Sequence, residues 1–130
     1  MLKQLSIYAE NKKGALQVMT NALYEAGINI WGSVTNDGAE YGINRMVVSD
    51  PDKAKEVLTE KGYLCRFVDV LAVEIEDKPG ALNTLLTALL DSNVNVDYTY
   101  LSFNRDSSTP VMILHTADPE EVEICLRAKG

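Results

Sequence analysis

The sequence predicts an α+β fold made of two tandem β-α-β-β-α-β units, each an antiparallel sheet with its helices on one face. Three observations carry that expectation. Nearly the same six letters occur twice in a chain of 130 residues, as NKKGAL at Asn11–Leu16 and as DKPGAL at Asp77–Leu82. At the same offset of 66 positions Lys12, Gly14, Ala15, Leu16, Ala22, Leu23 and Asn29 meet identical residues in Lys78, Gly80, Ala81, Leu82, Ala88, Leu89 and Asn95. On each side of the six letters the apolar spacing switches from the period of a strand to that of a helix. An internal repeat of this length means two copies of one unit. The expected domains are residues 1–65 and 66–130.

The elements follow in order. Leu5, Ile7 and Ala9 alternate with polar neighbours, as do Leu71, Val73 and Ile75, which predicts a half-buried first strand in each copy. After the glycine, Leu16, Met19 and Leu23 recur at helical spacing, and Leu82, Leu85, Leu86 and Leu89 do the same. Ala26-Gly27 and Ser92-Asn93 end these helices, because Gly and Asn tolerate a left-handed backbone. INIWGSVT and VNVDYTYLSF are rich in β-branched and aromatic residues and read as second strands. NDGAEYG and the longer SFNRDSSTP turn the chain into third strands at INRMVVS and VMILHT. Asp50-Pro51 and Asp118-Pro119 then open second helices, with Pro at the first helical position. Val57 and Leu58, and Val122, Ile124 and Leu126, are expected on their buried sides. YLCRFVDV supplies a fourth strand for copy one, running into copy two. Copy two reaches RAKG with no residues left for its own. The order is that of ferredoxin-like domains.

Charge and composition exclude several classes of function. The net charge is −7 and the basic residues are scattered, so nucleic acid and acidic membrane surfaces are not expected partners. The first ten residues lack the apolar stretch of a signal peptide, and the longest apolar run falls far short of a membrane span. Cys65 and Cys125 suggest no disulfide framework, so a cytoplasmic protein with reduced thiols is the expectation. No phosphate-binding glycine motif is present. The cysteines lack metal-ligand spacing, and the one histidine, His115, sits inside an apolar strand. Neither a cofactor nor a metal is expected, and no catalytic residues are assigned.

The twice-written loop is where function is expected. A strand-to-helix turn accounts for it structurally, with Asn11 or Asp77 as cap, Pro79 starting the helix and glycine supplying an unusual dihedral. The same geometry presents free backbone N–H groups to a carboxylate, and an Asn or Asp oxygen beside them can accept from an ammonium group. A free amino acid carries both groups.

With these residues in view, the sequence resembles the ACT-domain family of small amino-acid-binding regulatory modules. The resemblance lies in [ND]-x-x-G-A-L after the first strand, I-N-I or V-N-V opening the second, and the element order, all twice over nearly the whole chain. It implies a non-catalytic regulator that binds a free amino acid at a domain–domain interface and controls amino-acid metabolism or transport. The alternative is an obligate regulatory subunit of a separate biosynthetic enzyme, with no ligand of its own. Carried over residue by residue, the resemblance implies ligand contacts at Asn11, Gly14, Ala15, Leu16, Asn29 and Ile30 in copy one. In copy two they are Asp77, Gly80, Ala81, Leu82, Asn95 and Val96. Lys13 in place of proline, and Trp31 against Asp97, are departures between the copies. The resemblance also implies a homodimer and a separate enzyme as partner.

Overall fold

The computed structural model describes residues 2–10, 12–36, 41–103 and 109–129, except for the side chains of residues 41, 125, 128 and 129. Six strands and four helices follow one another: β1 (Leu2–Glu10), α1 (Ala15–Glu25), β2 (Ile30–Asn36), β3 (Tyr41–Val48), α2 (Pro51–Glu60), β4 (Leu64–Glu74), α3 (Ala81–Asp91), β5 (Tyr98–Phe103), β6 (Pro110–His115) and α4 (Pro119–Lys129). They form two compact units, one of Lys3–Val68 and one of Asp69–Gly130 together with Met1–Leu2.

In the first unit β3 lies between β2 and β1, antiparallel to both, with Leu5 opposite Met46 and Ser33 opposite Met46 on the other side. One strand face carries Leu5, Ile7, Met46, Val48 and Cys65. Met19, Ala22 and Leu23 of α1, and Ala54 and Leu58 of α2, close over that face into one core. Both helices therefore cover the same side. Asp50 caps α2 by accepting a hydrogen bond from the Lys53 N–H at 3.2 Å, and Pro51 takes the first helical position, where its missing N–H costs nothing. Gly27, at φ 73°, ends α1 in the left-handed conformation that side chains resist.

In the second unit β6 pairs with β4 on one side and β5 on the other, both antiparallel, with Leu71 and Thr99 opposite Leu114. Leu71, Leu114, Leu89 of α3 and Val122 of α4 make the core, with Val73, Leu85 and Leu126 packed around it. Asn93 does for α3 what Gly27 does for α1, at φ 59°.

Several expectations are corrected. The loop helices are capped by Gly14 and Gly80, with no side-chain cap; Asp77 does not cap α3, and Pro79 precedes the helix instead of starting it. Asn11 and the turns at 37–40 and 104–108 lie outside the described residues. Leu16, Leu82 and Leu86 are exposed, and Ile124 is 69% exposed. Ile124 is two residues from both Val122 and Leu126, about 200° round the helix from each, so it cannot share their face. The expected run of the fourth strand into copy two is found: LCRFV and LAVE are one strand, β4. Among the described residues no strand follows α4.

Candidate functional site

Each unit builds the same strand-to-helix loop with the same hydrogen bonds. The Lys12 N–H donates to the Glu10 carbonyl at 3.1 Å, and the Lys78 N–H to the Glu76 carbonyl at 3.0 Å. The lysine carbonyl then accepts from the first helical residue, Ala15 at 3.1 Å and Ala81 at 3.3 Å. Even the flanking ion pairs repeat, Lys12 to Glu10 at 3.0 Å and Lys78 to Glu76 at 2.9 Å. Gly14 sits at φ 84°, ψ −9° and Gly80 at φ 86°, ψ −6°. That conformation costs an L side chain energy, which explains glycine in both copies.

The glycine carbonyls accept from Val18 at 3.1 Å and from Thr84 at 2.9 Å, which starts the helical ladder. Between the loop bond and the ladder lie the N–H groups of Leu16 and Gln17, and of Leu82 and Asn83. A helix offers such groups no acceptor of its own. With the aligned peptide dipoles behind them they favour an anion.

Both loops open on a cavity. In the first unit it measures about 520 Å³ and is lined by Lys12, Gly14 and Ala15 with Tyr8, Val18 and Tyr63. In the second it measures about 700 Å³ and is lined by Lys78 and Ala81 with Thr84, Leu85 and Leu126. Of the sequence-predicted residues, Gly14 and Ala15 line the first cavity and Ala81 the second. Leu16 and Leu82 are exposed on the outer surface of their helices. The strand-two residues Asn29, Ile30, Asn95 and Val96 line neither cavity.

Those strand starts differ between the units. The Asn29 N–H donates to the Ser49 hydroxyl, and the Asn29 carbonyl accepts from the Ser49 N–H, both at 2.9 Å. Ser49 thus clamps the entrance to β2, which begins at Ile30. The second unit has Ala117 at the corresponding place, and β5 begins only at Tyr98. There the Asn95 side chain donates to Asp97 at 3.3 Å. Ile30 and Val96 are half-buried against their own cores.

Sequence reasoning missed one side-chain pair. His115 Nδ1 lies 2.9 Å from Asp97 Oδ2, and the imidazole stacks on Tyr98 with ring centroids 4.8 Å apart. The signal was present in the repeat, because Asp97 stands where copy one has Trp31. The Cys65 thiol is pushed up from its ordinary value by burial, against the opposing pull of the Thr59 side chain and the Lys55 charge. Among the described residues no cluster of His, Cys, Asp and Glu has the arrangement of a metal site, and no helix is long and apolar enough to cross a membrane.

The model of the ACT domain pair matches residues 1–129. The chain belongs to the ACT domain pair family. Protein BT0572 from Bacteroides thetaiotaomicron is 31% identical with a TM-score of 0.89, over 98% of this chain and 88% of that one. The regulatory subunit of aspartate kinase from Thermus thermophilus, in its ligand-free form, superimposes with a TM-score of 0.70 at 17% identity, over 97% and 88% of the two chains. That of Thermus flavus gives a TM-score of 0.61 at 18% identity, over 98% and 91%. No curated protein matches the chain. The two units are thus an ACT domain pair, and no catalytic family is indicated.

Proposed function

We propose that this ACT domain pair is a non-catalytic regulatory module that binds a free amino acid through its strand-to-helix loops. The observation that carries the reading is the congruence of the two loops: one hydrogen-bond pattern and one left-handed glycine, each followed by helix N–H groups without helical acceptors. The ligand carboxylate meets the N–H groups of Leu82 and Asn83 in the second unit, and those of Leu16 and Gln17 in the first. Its ammonium group is drawn to acidic oxygens beside the loop, of which Asp77 is one. The second unit is the stronger site, because Asp77 offers a charged acceptor where the first copy has Asn11. Ligand binding shifts the protein only by its differential affinity for two states. The chain acts in the cytoplasm as a homodimer, and the enzyme or transporter it controls is a separate protein.

A thermal-shift panel over the common free amino acids tests this. Ligand at about a hundred times its Kd adds roughly 2.7 kcal/mol to the native state and moves the midpoint by several degrees. If no common amino acid at millimolar concentration moves it, the reading fails.

A further inference from the structure

The last strand of the second unit's sheet is bare on its outer side. β5 has β6 on one side and, among the described residues, no strand on the other. The ladder decides which of its backbone groups face out. The Ile75 N–H donates to the Pro110 carbonyl at 3.1 Å, so Pro110, Met112 and Leu114 turn their backbone groups to β4, while Val111, Ile113 and His115 turn theirs to β5. Their partners there are Ser102, Tyr100 and Tyr98. The N–H and C=O groups of Thr99, Leu101 and Phe103 therefore point away from the sheet. The side chains of Leu101 and Phe103 are 54% and 66% exposed, although register puts them on the face that α3 and α4 cover, in line with Met112 and the core residue Leu114. YTYLSF holds no charge and no proline, the residues that keep a sheet edge from pairing.

A flank of α3 is bare as well. Leu82, Leu86 and Leu90 recur every four residues and are all exposed. At 3.6 residues per turn they lie about 120–200° round the helix from Ala88, which faces the cavity shared with Leu126 of α4. The stripe thus turns away from α4, and Leu89, between the two directions, points into the core. The first unit, built on the same plan, has neither feature. Thr35 and Asn44 stand where the second unit has Leu101 and Met112, and the Asn44 side chain donates to the Thr35 hydroxyl at 2.7 Å. Thr20 and Tyr24 of α1 stand in place of Leu86 and Leu90. The fold therefore does not require the leucines.

We infer that the outer edge of β5 and the α3 flank together are the surface on which a second copy of this chain docks, with the two β5 strands antiparallel about a two-fold axis at Leu101. This rests on the homodimer of the proposed reading and gives it a definite interface. Leu101 then pairs with the partner's Leu101, and Thr99 and Phe103 pair with each other on either side, a β-branched residue against an aromatic one. These pairings carry about six main-chain hydrogen bonds. An extended peptide satisfies the same bonds but leaves Leu82, Leu86 and Leu90 in water. A second copy, related by the two-fold, brings its own α3 to the same side of the joined sheet. Neither β5 nor Ala81–Leu90 carries a charge, which lets two chains of net charge −7 meet there without direct repulsion.

Sedimentation of the full chain tests this, with circular dichroism and thermal unfolding as checks of the fold. The wild type is expected to be a dimer. Leu101→Lys and Leu90→Lys are each expected to weaken it at least tenfold while staying folded, and Tyr24→Lys, at the matching place on α1, is expected to change nothing. Leu101→Cys fixes the register, because bonded antiparallel residues sit about 5.5 Å apart at Cα, within reach of a disulfide. It is expected to cross-link to itself on oxidation, with the linked peptide identified by mass spectrometry, whereas Thr99→Cys is expected to link only when mixed with Phe103→Cys. A folded wild type that stays monomeric at high micromolar concentration overturns both the interface and the homodimer. A dimer that Leu101→Lys and Leu90→Lys leave intact, or one in which Leu101→Cys does not cross-link, overturns the interface alone. Amino-acid binding is read separately by the thermal-shift panel, so its failure is a different result.

Discussion

Replacing Gly80 by alanine isolates a backbone effect, because the added Cβ would meet no protein atom within 4 Å. The cost comes from the dihedral alone. At φ 86° an L side chain loses about 1–2 kcal/mol, and the stiffer unfolded chain returns about 0.4–1 kcal/mol, for a net loss near 1 kcal/mol. With an unfolding entropy of about 2.1 cal/mol/K per residue, that lowers the Tm by about 4 °C. Asparagine is the control. It is larger than alanine but tolerates the left-handed region, as Asn93 does at φ 59°, so Gly80→Asn is expected to cost less. Thermal and urea unfolding read both values. If asparagine costs more than alanine, sterics and not the dihedral governs the site and the argument is wrong. Calorimetric titration of the folded variants with the amino acid found in the panel supplies the functional half. Because the new methyl points into space empty of protein, any loss of affinity per folded molecule reports contact with the ligand. A tenfold or greater loss is expected for Gly80→Ala and a smaller one for Gly14→Ala. Unchanged affinity in both would reduce the loop to a turn.

Three further outcomes are expected. Burial raises the Cys65 thiol above its unfolded value near 9.0, so its share of stability is complete below that pH and lost as pH rises through the folded value; the gap between wild type and Cys65→Ala in urea unfolding should therefore narrow above pH 9. The Thr116 hydroxyl is buried with no hydrogen-bond partner among the described residues, so Thr116→Val should be neutral or raise stability by up to about 1 kcal/mol, and a clear loss would mean the hydroxyl is bonded. A double-mutant cycle on Asp97→Asn and His115→Ala should give a coupling of about 0–1 kcal/mol, since both side chains are partly solvated; a coupling of several kcal/mol would show the pair to be a structural anchor.

The parts of the fold legible in the sequence were those carried by single residues with one dominant physical preference. Gly27 and Asn93 end helices because few residues accept a positive φ, and Asp50-Pro51 opens one because the aspartate caps and the proline fits only there. The loop glycines were legible for the same reason. What failed depended on choosing among similar candidates. α3 reads ALNTLLTALLD, apolar nearly all round, so periodicity could not say that Leu89 turns inward while Leu82 and Leu86 face out. The run of β4 into the second copy, by contrast, was legible, because no glycine or proline interrupts Leu64–Glu74. The Asp97–His115 pair joins residues 18 apart whose proximity follows from strand register, which composition does not reveal.

The clamp at Ser49 shows how little separates the two units. The Ser49 hydroxyl accepts from Asn29 at the entrance to β2, whereas Ala117 has no such oxygen, and β5 starts two positions later in the repeat than β2. For a duplicated domain this is an economical route to divergence. The loop geometry is the same in both units, while the strand starts differ in bonding and in side chains, Trp31 in one and Asp97 in the other. The bonded Asn29 N–H is expected to exchange more slowly than the Asn95 N–H, so the two strand entrances differ in local opening as well as in sequence.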